Sequence, residues 1–212
     1  MIDVMNNVFS YDYIAQSLAL FAIRCTCEVQ WSSKHKDSPG RLASLLQGVC
    51  VGAWILNNMY FKALASTSIY FILDCLLNIS LGKGSGVTHA HHLLGLALCT
   101  YSIVTSSFLD HGIQGQITRA LIQMETTNIS VQGALLMYHE YNYVHLMIPA
   151  ALHFFVVRIL VLGYHVHPMN SSVWKVVTSK FMIGLWSTTL LMWIIQMFWF
   201  IIWIQHIVKK LS

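Results

Sequence analysis

The chain has 212 residues, of which 56% are hydrophobic and only 9% charged, with a net charge of +4; its mean hydropathy is +0.61. An ordinary soluble domain carries about 25% charged residues, so a globule of this composition could not cover itself with polar groups. The figures exclude a soluble enzyme and a basic nucleic-acid-binding stripe, and they place the chain among integral membrane proteins of one domain.

A transmembrane helix needs about 20 mainly apolar residues, and seven windows meet that need. The first, Tyr13–Glu28, is interrupted by Arg24. Asp3 and Asp12 stand where a signal peptide would carry basic residues, so no cleavable leader is expected and this helix stays. Ser38-Pro39-Gly40 reads as a turn ahead of the second window, Leu42–Phe61. The third, Leu64–Leu81, carries Tyr70, Asp74 and Asn78 one turn apart, which makes a polar stripe on one helix face. A charged group at the bilayer centre costs about 2.5–3.5 kcal/mol, so this stripe should face inward rather than lipid. Gly82-Lys83-Gly84-Ser85-Gly86 then reads as a hinge. It lacks the G-x-x-x-x-G-K-[ST] spacing of a phosphate loop.

The fourth window, Ala90–Phe108, opens on His89-Ala90-His91-His92. His89 and His92 share a helix face, whereas His91 points about 100° away from His92, so one pair can face a cavity while the third meets a neighbour. Cys99 continues the His92 face. An imidazole here can serve as a general base with Asp74 or Glu125 orienting it, as a nucleophile that carries an acyl group, as a metal ligand, or simply as a hydrogen-bonding group between helices. Membrane di-iron enzymes show several dense histidine boxes; Tyr164-His165-Val166-His167 is only an isolated second one, so no metal site is expected.

The fifth window, Gln116–Tyr138, contains Arg119 and the polar run Glu125-Thr126-Thr127-Asn128-Ile129-Ser130, able to bond across helices or line a pocket. The sixth, Tyr143–Tyr164, holds His153 and Arg158. The seventh, Phe181–Ile207, has no acidic or basic residue at all. Seven crossings put Lys34, Lys36, Arg41, Lys83, Lys209 and Lys210 on one side and Lys62, Lys175 and Lys180 on the other, so the C-terminus is expected in the cytosol and the N-terminus outside. Lys209-Lys210-Leu211-Ser212 looks like the dilysine retrieval signal of endoplasmic-reticulum membrane proteins; two lysines anchoring the last helix at the headgroups is the plainer reading. Cys25, Cys27, Cys50, Cys75 and Cys99 form no C-x-x-C pair and read as small core hydrophobes. Of the tripeptides beginning at Asn78, Asn128 and Asn170, only the last is expected where a glycosyl transferase reaches it.

Together these elements resemble the TLC-domain family of multipass membrane proteins, which includes the ceramide synthases. Trp31-Ser32-Ser33 with Ser44 resembles the family's opening, with Gln47 where a histidine is common. Tyr70-Phe71-Ile72-Leu73-Asp74 resembles its Tyr-x-x-x-Asp element and His91-His92 its paired histidines. Glu125-Thr126-Thr127-Asn128 resembles the Glu-x-Ser-x-Phe element of the non-synthase branch, and Phe155-Val156-Val157-Arg158 its Phe-x-x-Arg helix. The synthase branch carries a His-Asp…Asp cluster where this chain carries Glu125-Thr126-Thr127-Asn128, which sets the chain closer to the non-synthase branch.

The resemblance implies an all-α membrane protein of about seven transmembrane helices, six forming a barrel around a lipid-accessible cavity. It places the TLC-type domain over 31–208, after an N-terminal helix over residues 1–30 and ahead of the dilysine tail over 209–212 that the topology puts in the cytosol. The function implied is lipid binding in that cavity, with a role in sensing or regulating membrane lipid composition. The alternative is an N-acyltransferase in which His91, His92 and Asp74 transfer an acyl group from acyl-CoA to a long-chain sphingoid amine, with Tyr70, Glu125, Asn128, Arg158 and His89 around the substrate. Neither reading calls for a bound cofactor or a nucleic-acid partner; the partners are a membrane lipid or a fatty acyl or sphingoid substrate.

Overall fold

The computed structural model describes residues 11–31, 38–105, 113–166 and 180–211. Among these, every regular element is helical, in seven segments. They are α1 (Asp12–Trp31), α2 (Ser38–Leu56), α3 (Tyr60–Ser80), α4 (Gly86–Val104), α5 (Ile113–Tyr141), α6, which joins Val144–Leu146, Met147–Phe154, Phe155–Val161 and Leu162–Val166, and α7 (Lys180–Leu211). Four segments are long and apolar enough to cross a membrane: Ser38–Leu56, Tyr60–Ser80, Val144–His165 and Trp186–Leu211. α1, α4 and α5 reach 20, 19 and 29 residues. Their charges and histidines lower their hydropathy.

The predicted windows find each segment but misplace some ends. Ser38-Pro39-Gly40 is the first turn of α2, not a turn before it, because proline lacks an N–H that the first helical turn would leave unpaired anyway. α4 likewise starts at Gly86, earlier than predicted, with Ser85 as its N-cap accepting from the Thr88 N–H at 3.2 Å. Asn58 and Asn142, at φ 56, take the left-handed conformation just past α2 and α5, a cap that asparagine accepts more readily than most residues. Lys209 and Lys210 lie in the last turn of α7 rather than in a tail beyond it. Ser32-Ser33, Lys34, Lys36, Asp110-His111, His167, Asn170 and Lys175 lie outside the described residues.

Neighbour relations run from α2 to α3, α4, α7, α6, α5 and back to α2, with α1 packed on α2 and α3. The α2–α5 approach is close: a Cβ on Gly48 would stand 2.9 Å from the Glu125 carbonyl oxygen, so only glycine fits there. Polarity is distributed the opposite way from a soluble protein. Arg24, Glu28, Gln47, Asp74, Asn78, Glu125, Arg158 and Gln196 are buried, while Ile148, Leu152, Val156 and Leu160 on α6 and Leu191, Ile194, Phe198 and Ile201 on α7 are exposed. Such apolar stripes at helical spacing suit a hydrocarbon solvent, because water would penalise them and lipid does not.

Candidate functional site

All seven helices contribute to one cavity of about 660 Å³. Along α5 its lining runs from Glu125 through Asn128, Val131 and Leu135 to His139, a stretch of fourteen helical steps that spans ~21 Å at 1.5 Å per residue. α1 and α3 bring Arg24, Asp74 and Asn78 to the lining, while α5, α6 and α7 bring the apolar Val131, Leu135, Phe154, Trp199, Ile202 and Trp203 together with the polar Gln132, His139 and His206. Tyr70, Asp74, His91, His92, Glu125, Asn128 and Arg158 all reach this cavity.

His89 is not among the lining residues; its imidazole lies beside Gly84. The pair that faces the cavity is therefore His91 with His92, not the two histidines on one helical face. The reason is that α4 meets neighbours on both flanks: His91 reaches toward α7, where its ring meets Trp199 edge-on at 4.9 Å, and His92 stacks on Phe71 of α3 at 5.2 Å. Gly95 makes room for that stack, since a Cβ there would stand 2.3 Å from the Phe71 ring.

Asp74 does not belong to His92 alone. Its Oδ1 accepts from Arg24, and its Oδ2 accepts from the Asn78 amide at 2.8 Å while lying 3.5 Å from His92 Nδ1. Arg24 also donates to Glu28 at 3.0 Å and to Asn78 at 2.9 Å, and Glu28 in turn pairs with Lys83. Arg24 looks in the sequence like an interruption of the first helix, yet it is the cation that makes burial of Asp74 tolerable. The N-terminal helix is thus wired into the site rather than appended to it. Tyr70, four residues before Asp74, shares a 2.6 Å hydroxyl–hydroxyl bond with Ser44 of α2.

A second network crosses α5, α6 and α7. Arg158 donates from Nε to Thr127 Oγ1 at 2.6 Å, from one terminal nitrogen to Gln196 Oε1 at 3.0 Å, and from the other to Asn128 Oδ1 at 2.8 Å and the Met124 carbonyl at 3.0 Å. Asn128 passes its own N–H to Glu125 at 3.0 Å, and the Gln196 amide nitrogen stands 3.2 Å from His91 Nδ1. Arg158 sits in a π-helical stretch, Phe155–Val161. Such wider turns recur at functional sites. Gln196 is absent from the sequence-level candidates, although it is the one amide, hydroxyl or charged side chain between Thr189 and Gln205. That isolation was its only signal.

Gln47, at the position where the resembled family tends to carry histidine, is buried outside the cavity lining and bonds to Ser66 at 3.2 Å. Asn78 and Asn128 are buried and bonded, so neither is open to a glycosyl transferase. The five cysteines are free thiols. Among the described residues no group of three or more His, Cys, Asp or Glu is placed to hold a metal ion. No family model, curated protein or solved structure matches the chain.

Proposed function

We propose that this chain is a multipass membrane protein that holds a single-chain lipid in its internal cavity and whose occupancy follows the lipid composition of the membrane. The contacts of α2 to α7 support a TLC-type barrel of six helices with α1 braced against it. α1, α4 and α5 would cross the membrane with α2, α3, α6 and α7, because the groups that make them polar turn inward. The observation that carries the reading is one cavity lined both by apolar chains and rings and by buried polar groups. Its volume of about 660 Å³ falls within the roughly 300–1,000 Å³ of small-molecule pockets. An alkyl chain can lie along Val131, Leu135, Trp199 and Trp203 while its polar end meets the histidines and Arg158.

Native mass spectrometry after mild extraction tests this. The expected result is a retained lipid, lost when Leu135→Trp fills the cavity while the thermal midpoint holds. A protein that releases bare, and that no long-chain amphiphile stabilises, would sink the reading.

The His92–Asp74 approach favours a second reading, acyl transfer from acyl-CoA to a long-chain amine with His92 as the base. It predicts amide product from the purified protein, with His92→Ala abolishing it and His89→Ala sparing it. Equal turnover in the two variants would refute it.

A further inference from the structure

Two buried charges of opposite sign line this cavity without meeting. Glu125 and Arg158 are 3% and 4% exposed and both belong to the lining, yet among the described residues neither takes part in an ion pair. Asn128 stands between them. Its amide N–H donates to Glu125 Oε2 at 3.0 Å, and its carbonyl oxygen accepts from Arg158 Nη2 at 2.8 Å. Elsewhere in the lining opposite charges touch: Arg24 meets Asp74 and Glu28, and Glu28 meets Lys83. Around Asn128 the same cancellation is held open by the width of one amide.

The hydrogen-bond inventory shows what this leaves over. A guanidinium has five N–H donors, and a carboxylate can only accept. Arg158 gives one N–H to Thr127 from Nε, one to Gln196 from Nη1, and two from Nη2 to Asn128 and the Met124 carbonyl. One N–H on Nη1 remains without an acceptor among the described residues. Glu125 receives its bond from Asn128 on Oε2, so Oε1 remains without a donor among them. A buried charge is tolerated when it is paired and hydrogen-bonded. Each of these two lacks the direct opposite charge that would complete it.

We infer that Glu125 and Arg158 form a split receptor for a zwitterionic headgroup, with an ammonium against Glu125 and a phosphate against Arg158. The inference rests on the lipid-binding reading and names the class of lipid. Both contacts are charge-assisted hydrogen bonds, roughly twice as strong as neutral ones. A zwitterion carries no net charge into the interior, whereas a lone anion also meets Glu125 and a lone ammonium also meets Arg158. A trimethylated ammonium has no N–H for Oε1, so the preferred head is a primary ammonium. Asn128 acts as a positioning residue that keeps the two charges from closing on each other.

The test titrates the full chain in non-ionic detergent with hexadecylphosphoethanolamine, hexadecyl methyl phosphate, hexadecylammonium and hexadecanol, and reads binding by native mass spectrometry. The zwitterion should bind about tenfold or more tighter than each of the other three. Glu125→Gln should abolish its advantage over the methyl phosphate while affinity for the methyl phosphate holds or rises, because a like charge has gone; equal weakening of all four probes would overturn the role of Glu125. Asn128→Ala lets the two charges meet and should bring the zwitterion down to the level of hexadecanol. In the unaltered chain, hexadecanol or hexadecylammonium binding as tightly as the zwitterion overturns the headgroup class and leaves the lipid reading standing. If none of the four binds, both fall.

Discussion

Two buried arginines hold this molecule together, and they do it by different chemistry. Arg24 meets two carboxylates, Asp74 and Glu28, and the chain of charges continues to Lys83. Arg158 meets only neutral acceptors, namely a hydroxyl, two side-chain amide carbonyls and a backbone carbonyl, with Glu125 one hydrogen bond further away through Asn128. The first arrangement is a closed electrostatic clamp that fastens α1 to α3. The second is a polar scaffold whose bonds are directional rather than charge-cancelling, and it reaches the cavity beside His91. Charge pairing secures the wall; neutral hydrogen bonding arranges the site.

The sharpest way to break this contrast is to remove each guanidinium. Arg24→Met leaves Asp74 and Glu28 buried without their shared cation, and breaking a buried pair from one side costs about 3–5 kcal/mol. The expected result is a large fall in thermal midpoint in detergent, the largest of any single replacement considered. Arg24→Met combined with Asp74→Asn and Glu28→Gln removes the stranded charges and should recover most of that loss, since well-packed neutral replacements of buried ion pairs are often nearly neutral. Arg158→Met strands only neutral acceptors, at about 1–3 kcal/mol for each one left buried and unmet. It should weaken lipid retention more than its stability loss would suggest. A triple variant no more stable than Arg24→Met would show that Arg24 acts through packing, not charge.

Much of this architecture was legible in the chain, and the reasons differ by element. The apolar windows overlap all seven helical segments, and four of them stand out by length and hydropathy because a helix crossing a membrane must satisfy every backbone group internally; α1, α4 and α5 are less legible because charges and histidines interrupt them. Tyr70, Asp74 and Asn78 were readable as an inward stripe because one-turn spacing fixes a common face. Arg24 and Glu28 were not readable as members of the site. One sequence shows that a charge sits in an apolar helix, but the partner lies fifty residues away on α3, and only the tertiary approach of α1 supplies it. Which two of the three histidines face the cavity was open for a similar reason: helical periodicity says which residues share a face, not how wide an arc of that helix its neighbours enclose. The π-helical turn around Arg158 leaves no periodic trace at all, because it is a local irregularity within an otherwise continuous apolar helix.

A subtler replacement sharpens the comparison at the stack of His92 on Phe71. Gly95→Ala would place its Cβ 2.3 Å from the Phe71 ring, and inserting a methyl into a filled core costs about 1–3 kcal/mol. Phe71 must turn away from His92 to accommodate it. The thermal midpoint should fall by less than in Arg24→Met, and lipid retention should fall with it because His92 loses its stacking partner. Retention unchanged alongside a lowered midpoint would mean that the stack serves packing alone.

The smallest effect belongs at the end of α7. Lys210 lies over the Tyr138 ring at 5.8 Å and in the last helical turn. Its charge sits where the helix dipole favours a cation, but exposure to solvent screens both interactions, so Lys210→Ala should cost about 0.5–1 kcal/mol. Raising the salt concentration should shrink the difference between Lys210→Ala and the unaltered chain, whereas the penalty of Arg24→Met should persist because its partners are shielded from solvent ions. Thermal midpoints of both variants at low and high salt make the check. A Lys210→Ala penalty as large and as salt-independent as that of Arg24→Met would erase the distinction between a solvated terminal charge and an interior clamp.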